Sequence, residues 1–233
     1  MSDDLDDLIR RVDPDRWLSS RFVGDAGLRA DVIAIYAYDH ELARAPKVAS
    51  NSLLGEIRLT WWREMLDEAY EGRHVRHHPT AQALADVIQR HSLPREPLEA
   101  MIDARYRELD ATPLSKADAS ALAFGTAGAA ADLAIRVLGG ASEGRFASGW
   151  SAMWALSRLM ADGRVGAADM PEALAEVRVS IAEARTVERR DVSSDGFPAV
   201  AHATLAPLYA AGKRFGPLEK QLRLVWAVAI GRI

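Results

Sequence analysis

The segment that most constrains the fold is residues 53–72, LLGEIRLTWWREMLDEAYEG. Apolar residues recur there every fourth position, and a second stripe runs beside the first, as in a helix that packs against partners on two sides. Adjacent Trp61 and Trp62 bring large apolar area that favours burial, and Gly72 can adopt the left-handed conformation that ends a helix. The segment therefore predicts a helix near the centre of a helical domain. The two stripes are Ile57, Trp61, Met65 and Ala69, and Trp62, Leu66 and Tyr70.

Composition excludes several classes of protein. The chain has 233 residues, a net charge of −4 and no cysteine, so no global basic field recruits nucleic acid and no disulfide scaffold or thiolate metal site exists. Residues 2–7 are acidic and form no secretory signal, and no apolar run is long enough to span a membrane. These features predict a cytoplasmic protein.

The remaining sequence is helical in pattern. No segment alternates apolar and polar residues between turns, so no strands are expected. No linker divides the chain, which predicts one all-α domain over residues 1–233. Pro46 is expected to end or kink its helix. The main predicted helices cover 28–44, 80–91, 120–138, 146–162, 197–211 and 217–230.

Two helices leave alternatives open. One stripe of the helix at 28–44 mixes apolar and polar side chains, from Val32 and Tyr36 to His40 and Arg44. Such a face either has a solvated polar edge or lines a polar cavity. Residues 125–131 are almost all glycine and alanine, so either another helix packs very close there or room is left for a bulky apolar guest.

Several motifs resemble those of the squalene/phytoene synthase family. They are YAYDHELAR at 36–44, LGEIRLTWWREMLDEAYEG at 54–72, HP at 78–79, FGTAG at 124–128 and WALS at 154–157. The resemblance covers essentially the whole chain, and the WWRE block is its most specific part. It implies the all-α isoprenoid synthase fold, a single-domain bundle of antiparallel helices around a central apolar cavity.

The resemblance also implies a chemistry that this sequence does not support at the decisive positions. Active members join two prenyl diphosphates head to head, and two aspartate-rich motifs hold the Mg²⁺ ions that bind the diphosphate. Arg44 and Lys47 place positive charge at the metal position of the first motif. Two cations about 4 Å apart repel by roughly 4 kcal/mol at an effective dielectric near 20. We therefore expect no metal site and no cofactor. The motif positions are occupied here by Ala43, Arg44 and Lys47 in the first motif and by Arg158, Asp162 and Gly166 in the second, so that Asp162 is the only retained motif acid.

A divergent branch of the family also lacks these acids and resembles an assembly factor of mitochondrial respiratory complex I. By this resemblance the chain is expected to be a non-catalytic binding or assembly protein. Its expected partners are a respiratory-complex protein and a prenyl diphosphate or anionic lipid, with peripheral membrane contact. We expect Arg and Lys side chains to bind the anionic group without metal. The candidate ligand-binding residues are Arg21, Arg29, Tyr36, His40, Arg44, Lys47 and Arg158.

Two other hypotheses remain. An active, Mg²⁺-dependent prenyltransferase would need a rearranged site in which Asp39, Glu41, Asp162 and Asp169 supply the ligands. Asp39 and Glu41 are two residues apart and point away from each other on a helix, which weakens this hypothesis. The other hypothesis is a helical regulator whose similarity to the family is only architectural.

Overall fold

The computed structural model describes residues 2–48, 51–110, 112–140, 146–186, 192–212 and 215–232. Within these ranges the fold is all-α, and the only extended pairing is an isolated bridge between Leu114 and Val165. The α-helices are α1 (Ser2–Val12), α2 (Pro14–Ser20), α3 (Ala26–Val48), α4 (Ser52–Tyr70), α5 (Pro79–His91), α6 (Arg95–Arg105), α7 (Lys116–Ala123), α8 (Ala129–Val137), α9 (Phe146–Ala161), α10 (Met170–Thr186), α11 (Ala206–Ala210) and α12 (Pro217–Ile230).

The hub of the bundle is α3 rather than α4. Every residue from 31 to 39 in α3 is buried, and this helix packs against α1, α4, α5 and α8. The prediction of a helix at 53–72 is confirmed, and Gly72 has the expected positive φ of 69°. The N-terminal turns of α4, however, lie at the surface.

The exposure of these turns follows from which residues of α4 face the bundle. The buried face passes through Gly55, Leu59 and Trp62 and therefore lies beside the stripe predicted through Ile57. Ile57 is 55% exposed and Trp61 is only half-buried, although Trp62 is buried at 4%. The predicted stripe is therefore in the core only in the second half of the helix.

Three further predictions about helices need correction. Pro46 neither ends nor breaks α3, because it lies in the last turn and its missing N–H removes a bond only near the helix end. The segment at 120–138 is not one helix, since a π-helical turn, Phe124–Gly128, separates α7 from α8. The segment at 197–211 is not one α-helix either. It consists of two 3₁₀ segments, Phe197–Ala199 and Ala201–Leu205, followed by the short α11.

The small residues of the π-helical turn serve close packing. A Cβ at Gly125 would lie 2.8 Å from the Ala104 Cβ in α6, and one at Gly128 would lie 3.0 Å from the Ser148 carbonyl oxygen in α9. Of the two alternatives for these residues, close helix approach is the one that the structure shows at both glycines.

The C-terminal helix is apolar on two sides. Leu224 and Ala227 of α12 pack into the bundle, and the other apolar side chains face outwards. None of the described helices combines the length and the apolar character needed to cross a bilayer. The outward apolar side chains of α12 are Leu218, Leu222, Val225 and Trp226.

Candidate functional site: a charged pocket at the centre of the bundle

A pocket of about 170 Å³ opens where α2, α3, α6 and α9 meet. It occupies the centre of the bundle, where the family resemblance implies an apolar cavity. Nearly half of its lining residues are charged or titratable. Its charged or titratable lining residues are Asp13, Arg16, Asp39, His40, Arg105, Arg158 and Asp162.

The core of this pocket is a carboxylate held between two guanidinium groups. Asp39, in α3, accepts a hydrogen bond of 2.8 Å from Arg16 Nη2 and one of 2.6 Å from Arg105 Nη2. All three side chains are at least nine-tenths buried. Burial alone would raise the pKa of Asp39, but Arg105 and then Arg16 outweigh it and hold the pKa below its ordinary value.

Asp13, at the start of α2, shares Arg16 with Asp39 and also binds Arg158. It is the N-cap residue of that helix, and its carboxylate accepts hydrogen bonds from Arg16 Nε at 2.5 Å and Arg158 Nη1 at 3.1 Å. Burial opposes its ionisation, yet Arg16 and Arg158 lower the pKa of Asp13 to about 2. This carboxylate therefore stays charged and engaged at neutral pH.

The ionic network continues beyond the pocket. Arg105 Nη1 lies 2.6 Å from Glu108 Oε2, and Arg164 Nη2 lies 3.0 Å from Glu108 Oε1. Four arginines (Arg16, Arg105, Arg158 and Arg164) thus face three carboxylates (Asp13, Asp39 and Glu108). Two buried donors, Arg16 Nη1 and Arg105 Nε, lack a hydrogen-bond partner among the described residues. The centre consequently has a surplus of cationic donors over acceptors.

Four of the predicted site residues lie at or under this pocket. His40, Arg158 and Asp162 line it, and Tyr36 lies beneath it with the Arg16 guanidinium 4.8 Å from its ring centre. Burial lowers the pKa of His40 and raises that of Tyr36. The Tyr36 hydroxyl donates to the Ala199 carbonyl oxygen at 3.4 Å.

The structure does not bring the other predicted residues into this site. Arg44 is half-exposed and makes two hydrogen bonds to Glu41. Arg21 and Arg29 line a different groove, beside α1, where Arg21 pairs with Asp6 and Arg29 Nη1 donates to the Val23 carbonyl oxygen at 3.1 Å. The Lys47 side chain lies outside the described part of the structure.

Arg44 belongs to a second, aromatic pocket at the surface end of α4. That pocket holds about 190 Å³ between Arg44, Arg58 and the Trp61–Trp62 pair. The His78 ring packs edge-on against both indoles, with ring centres 5.5 Å and 5.3 Å away. The packing of this ring was not predicted from the sequence.

A second buried cluster, around Asp15, adjoins the central pocket through Trp154. Asp15 accepts hydrogen bonds from Lys220 Nζ at 2.6 Å, the Tyr209 hydroxyl at 2.5 Å and Trp154 Nε1 at 3.2 Å. Lys220 in this way ties α12 to α2. His202 packs nearby, 4.6 Å between ring centres from Trp154, and burial followed by Arg16 lowers its pKa to about 3.

The buried ion pairs could be found in the sequence only in part. Arg105 repeats at helical spacing behind Leu98, Met101 and Ile102, so its position in an apolar stripe was a signal of a buried cation. Asp13 and Arg16 pair at a spacing of three residues, but their other partners are 145 and 23 positions away, so helical spacing does not reveal that these charges are buried. The pairing of Glu108 depends on the turn that follows α6 and on a residue 56 positions away.

Metal binding would need acids that are free to coordinate. Among residues 2–48, 51–110, 112–140, 146–186, 192–212 and 215–232, no group of three or more His, Cys, Asp or Glu side chains is arranged to hold a metal ion. The pocket contains three aspartates, but Asp13 and Asp39 are both bound by arginines.

The order and packing of these helices define an all-α isoprenoid synthase fold. The structure matches that of a dehydrosqualene synthase in complex with ligand, with a TM-score of 0.75 and 13% identity, over 98% of this chain and 95% of that one. It also matches squalene synthase HpnC from Alicyclobacillus acidocaldarius, with a TM-score of 0.68 and 18% identity, over 99% of this chain and 94% of that one. The prediction of the fold class is confirmed.

The chain belongs to the squalene/phytoene synthase family, whose sequence model matches residues 9–168. Curated relatives point to a particular branch of that family. The chain is 30% identical over 104 residues to NADH dehydrogenase (ubiquinone) complex I, assembly factor 6, of Bos taurus, and 29% identical to the protein of that name from Homo sapiens. Each match covers 45% of this chain and 31% of the relative, so the chain matches less than a third of the relatives' length.

Proposed function

We propose that this chain is a non-catalytic member of the squalene/phytoene synthase family that serves as a binding scaffold in the assembly of a respiratory NADH dehydrogenase complex. The observation that carries the proposal is the clamp on Asp39 by Arg16 and Arg105. The relatives named as complex I assembly factors support the choice of partner. Cytoplasmic location and peripheral membrane contact stay predictions.

The clamp argues against metal-dependent catalysis for a physical reason. A Mg²⁺ ion binds to carboxylates that can turn towards it, usually with water completing the shell. Here both oxygens of Asp39 are already used by guanidinium groups. Freeing them would leave buried charges without partners, which typically costs about 3–5 kcal/mol.

The acids required by the prenyltransferase hypothesis are mostly engaged elsewhere. Glu41 is held by Arg44, and Asp169 accepts the backbone N–H of Lys116 at 3.0 Å. Asp162 lines the central pocket at its exposed rim. One rim carboxylate gives too little negative charge to gather the Mg²⁺ ions that diphosphate departure requires.

The same pocket suits a small anionic group. The partly exposed Arg158 guanidinium offers N–H donors to phosphate oxygens, and the buried guanidinium groups of Arg16 and Arg105 add positive charge behind it. We therefore expect farnesyl diphosphate or an anionic lipid headgroup to bind without metal. Titration with farnesyl diphosphate should give the same affinity with Mg²⁺ and with a chelator, and Arg158→Met should weaken it several-fold. Binding that requires Mg²⁺ would contradict this part of the proposal.

The main test separates scaffold from enzyme with a single variant. Asp162→Asn removes the only retained motif acid at an exposed position, so the fold should tolerate it. In a strain of the source organism that lacks the protein, we expect lower NADH dehydrogenase activity in membranes. Wild type and Asp162→Asn should restore that activity equally.

The companion measurement is release of inorganic pyrophosphate from farnesyl or geranylgeranyl diphosphate with Mg²⁺, beside a catalytic family member as control. We expect no release by this chain. Turnover that disappears in Asp162→Asn would overturn the proposal and establish the prenyltransferase.

A further inference from the structure

The helix α12 presents an apolar surface to solvent. Its outward apolar side chains are 52–68% exposed. At 3.6 residues per turn they fall within about 100° around the helix axis, so they form one continuous stripe. An amphipathic helix normally buries a stripe of this width, and contiguous exposed apolar patches mark protein–protein or membrane interaction sites. The stripe consists of Leu218, Leu222, Val225 and Trp226.

The inner side of α12 fixes the rotation of the helix. Leu224 and Ala227 are 1% exposed in the bundle. Lys220 Nζ lies 2.6 Å from Asp15 Oδ1 and 2.8 Å from the Tyr209 hydroxyl. Rolling the helix inwards would leave the Asp15 carboxylate, which is 1% exposed, without its ammonium partner, and a buried unpaired charge is costly. The apolar stripe is therefore held on the outside by the packing of the other side.

The charge of this part of the chain is opposite to that of the whole. The full chain has a net charge of −4, whereas residues 213–232 contain five cations and one carboxylate. Lys220 is bound to Asp15, and Arg223 lies 3.3 Å from Glu219. When both pairs are counted as neutral, three of the five cations remain, so the segment keeps a positive excess at both ends of α12. The remaining cations are Lys213, Arg214 and Arg232.

The size and composition of the stripe favour a bilayer over a second copy of the chain. A stable protein interface needs about 800 Å² and roughly 20–30 residues on each partner, and the stripe supplies only four side chains on a helix about 21 Å long. Trp226 lies at the edge of the stripe nearest to Arg223. Tryptophan at such an edge is typical of side chains at the level of lipid headgroups.

We propose that α12 lies on the surface of an anionic lipid bilayer, with its apolar stripe inserted among the headgroups. Burial of the apolar side chains supplies affinity, and the cations at the two ends of the helix are attracted to anionic headgroups. This contact deepens the proposed function, because it rests on the peripheral membrane contact expected there and names the surface that makes it.

The first test measures partition onto vesicles by flotation at low ionic strength. The full chain is mixed with vesicles of phosphatidylcholine alone, or of equal parts phosphatidylcholine and phosphatidylglycerol. We expect a partition coefficient about tenfold higher for the anionic vesicles, and added salt should reduce the difference. Equal partition onto the two compositions, or binding to neither, would overturn the proposal.

The second test removes the centre of the stripe. The double variant Leu222→Gln/Trp226→Gln places good helix formers at two exposed positions, so thermal unfolding should stay cooperative. It should lower partition onto the anionic vesicles by about tenfold. Leu53→Gln is the matched control, because Leu53 in α4 is 60% exposed and Leu222 is 62% exposed. Partition should be unchanged in the control, and an equal loss there would refute the assignment to α12.

The third test reports insertion. Trp226 is 67% exposed and should be quenched by lipids with brominated acyl chains, since an interfacial helix reaches a depth of about 5–10 Å. Trp226→Phe should still bind the anionic vesicles but lose this quenching. Quenching that persists in Trp226→Phe would contradict insertion of the stripe. A dimer seen by sedimentation without vesicles, and lost in the double variant, would assign the stripe to a second copy instead.

The membrane contact and the proposed function fail in different experiments. A wild-type chain that restores NADH dehydrogenase activity yet binds no vesicle would overturn the membrane contact and leave the proposed function standing. Titration of the double variant with farnesyl diphosphate should match wild type, because α12 contributes no residue to the central pocket. A parallel loss of farnesyl diphosphate binding would show that the variant disturbs the bundle and would contradict an independent surface.

Discussion

The two faces of α9 treat empty space and polar atoms in opposite ways. On the central face, arginines and carboxylates from α2, α3, α6 and α9 neutralise one another in a pocket of about 170 Å³. On the outer face, a cavity of about 290 Å³ has an apolar wall and a glycine facing it. The first space is lined by charged groups and suits an anionic group, whereas the second is lined mainly by apolar side chains. A central position in the fold therefore does not by itself decide which kind of ligand a pocket suits.

The variant with the largest expected effect tests whether the ion pairs on the central face of α9 stabilise the fold. Arg105→Met removes one guanidinium and leaves Asp39 and Glu108 with fewer partners in a buried setting. We expect it to lower the free energy of unfolding by about 3–5 kcal/mol, measured by urea denaturation. A loss below about 1 kcal/mol would show that the centre is hydrated and that its ion pairs are weak.

The next effect uses pH. Unfolded His202 binds a proton below about 6.5, whereas the folded residue stays neutral down to about 3. Between these values the unfolded state binds more protons, so stability falls as pH falls. At pH 5 this amounts to about 2 kcal/mol.

His202→Gln should therefore flatten the dependence of unfolding free energy on pH between 6.5 and 4. Slopes are compared rather than absolute stabilities, because the variant also loses ring packing against Trp154. Asp13, with a folded pKa of about 2, adds its own loss only below about pH 4, as the pH falls towards 2. Identical slopes in the two proteins would place His202 in contact with water.

A smaller effect contrasts two glycines. Gly149→Ala should raise stability by up to about 1 kcal/mol, since the Cβ meets nothing and alanine is the better helix former. Gly128→Ala should lower it by about 1–3 kcal/mol, because the Cβ would press on the Ser148 carbonyl oxygen. Thermal unfolding of the two variants and the wild type measures both changes in stability. Destabilisation by Gly149→Ala would mean that the outer cavity closes in solution.

The smallest effect concerns Arg44, which lies outside the central pocket and outside the cavity on the outer face of α9. Arg44 pairs with Glu41 at the surface and is half-exposed, so Arg44→Met should change stability by no more than about 1 kcal/mol. It should also leave farnesyl diphosphate binding unchanged, unlike Arg158→Met. A matching loss of affinity in the two variants would return Arg44 to the anion site predicted from the sequence.

The fold was predictable from the sequence because helical periodicity and the WWRE block depend on local spacing. The site was only partly predictable. His40, Arg158 and Asp162 line one pocket, and each lies in or just after a motif on α3 or α9. The Asp39 clamp joins residues 23 and 66 positions apart, and such pairings depend on how helices pack. Exposure of Ile57 was missed for the same reason, because periodicity gives a stripe but not which neighbour covers it.

The bridge between Leu114 and Val165 limits which side chain position 166 can take. Leu114 N–H donates to the Arg164 carbonyl oxygen and Gly166 N–H donates to the Leu114 carbonyl oxygen, both at 2.9 Å, which fastens the loop where a second motif acid would stand. An aspartate at Gly166 would meet the Asp169 carboxylate, 3.4 Å from its Cβ. An acid introduced at position 166 would therefore stand beside another carboxylate in a loop whose backbone is already hydrogen-bonded, and the two negative charges would need a neutralising partner.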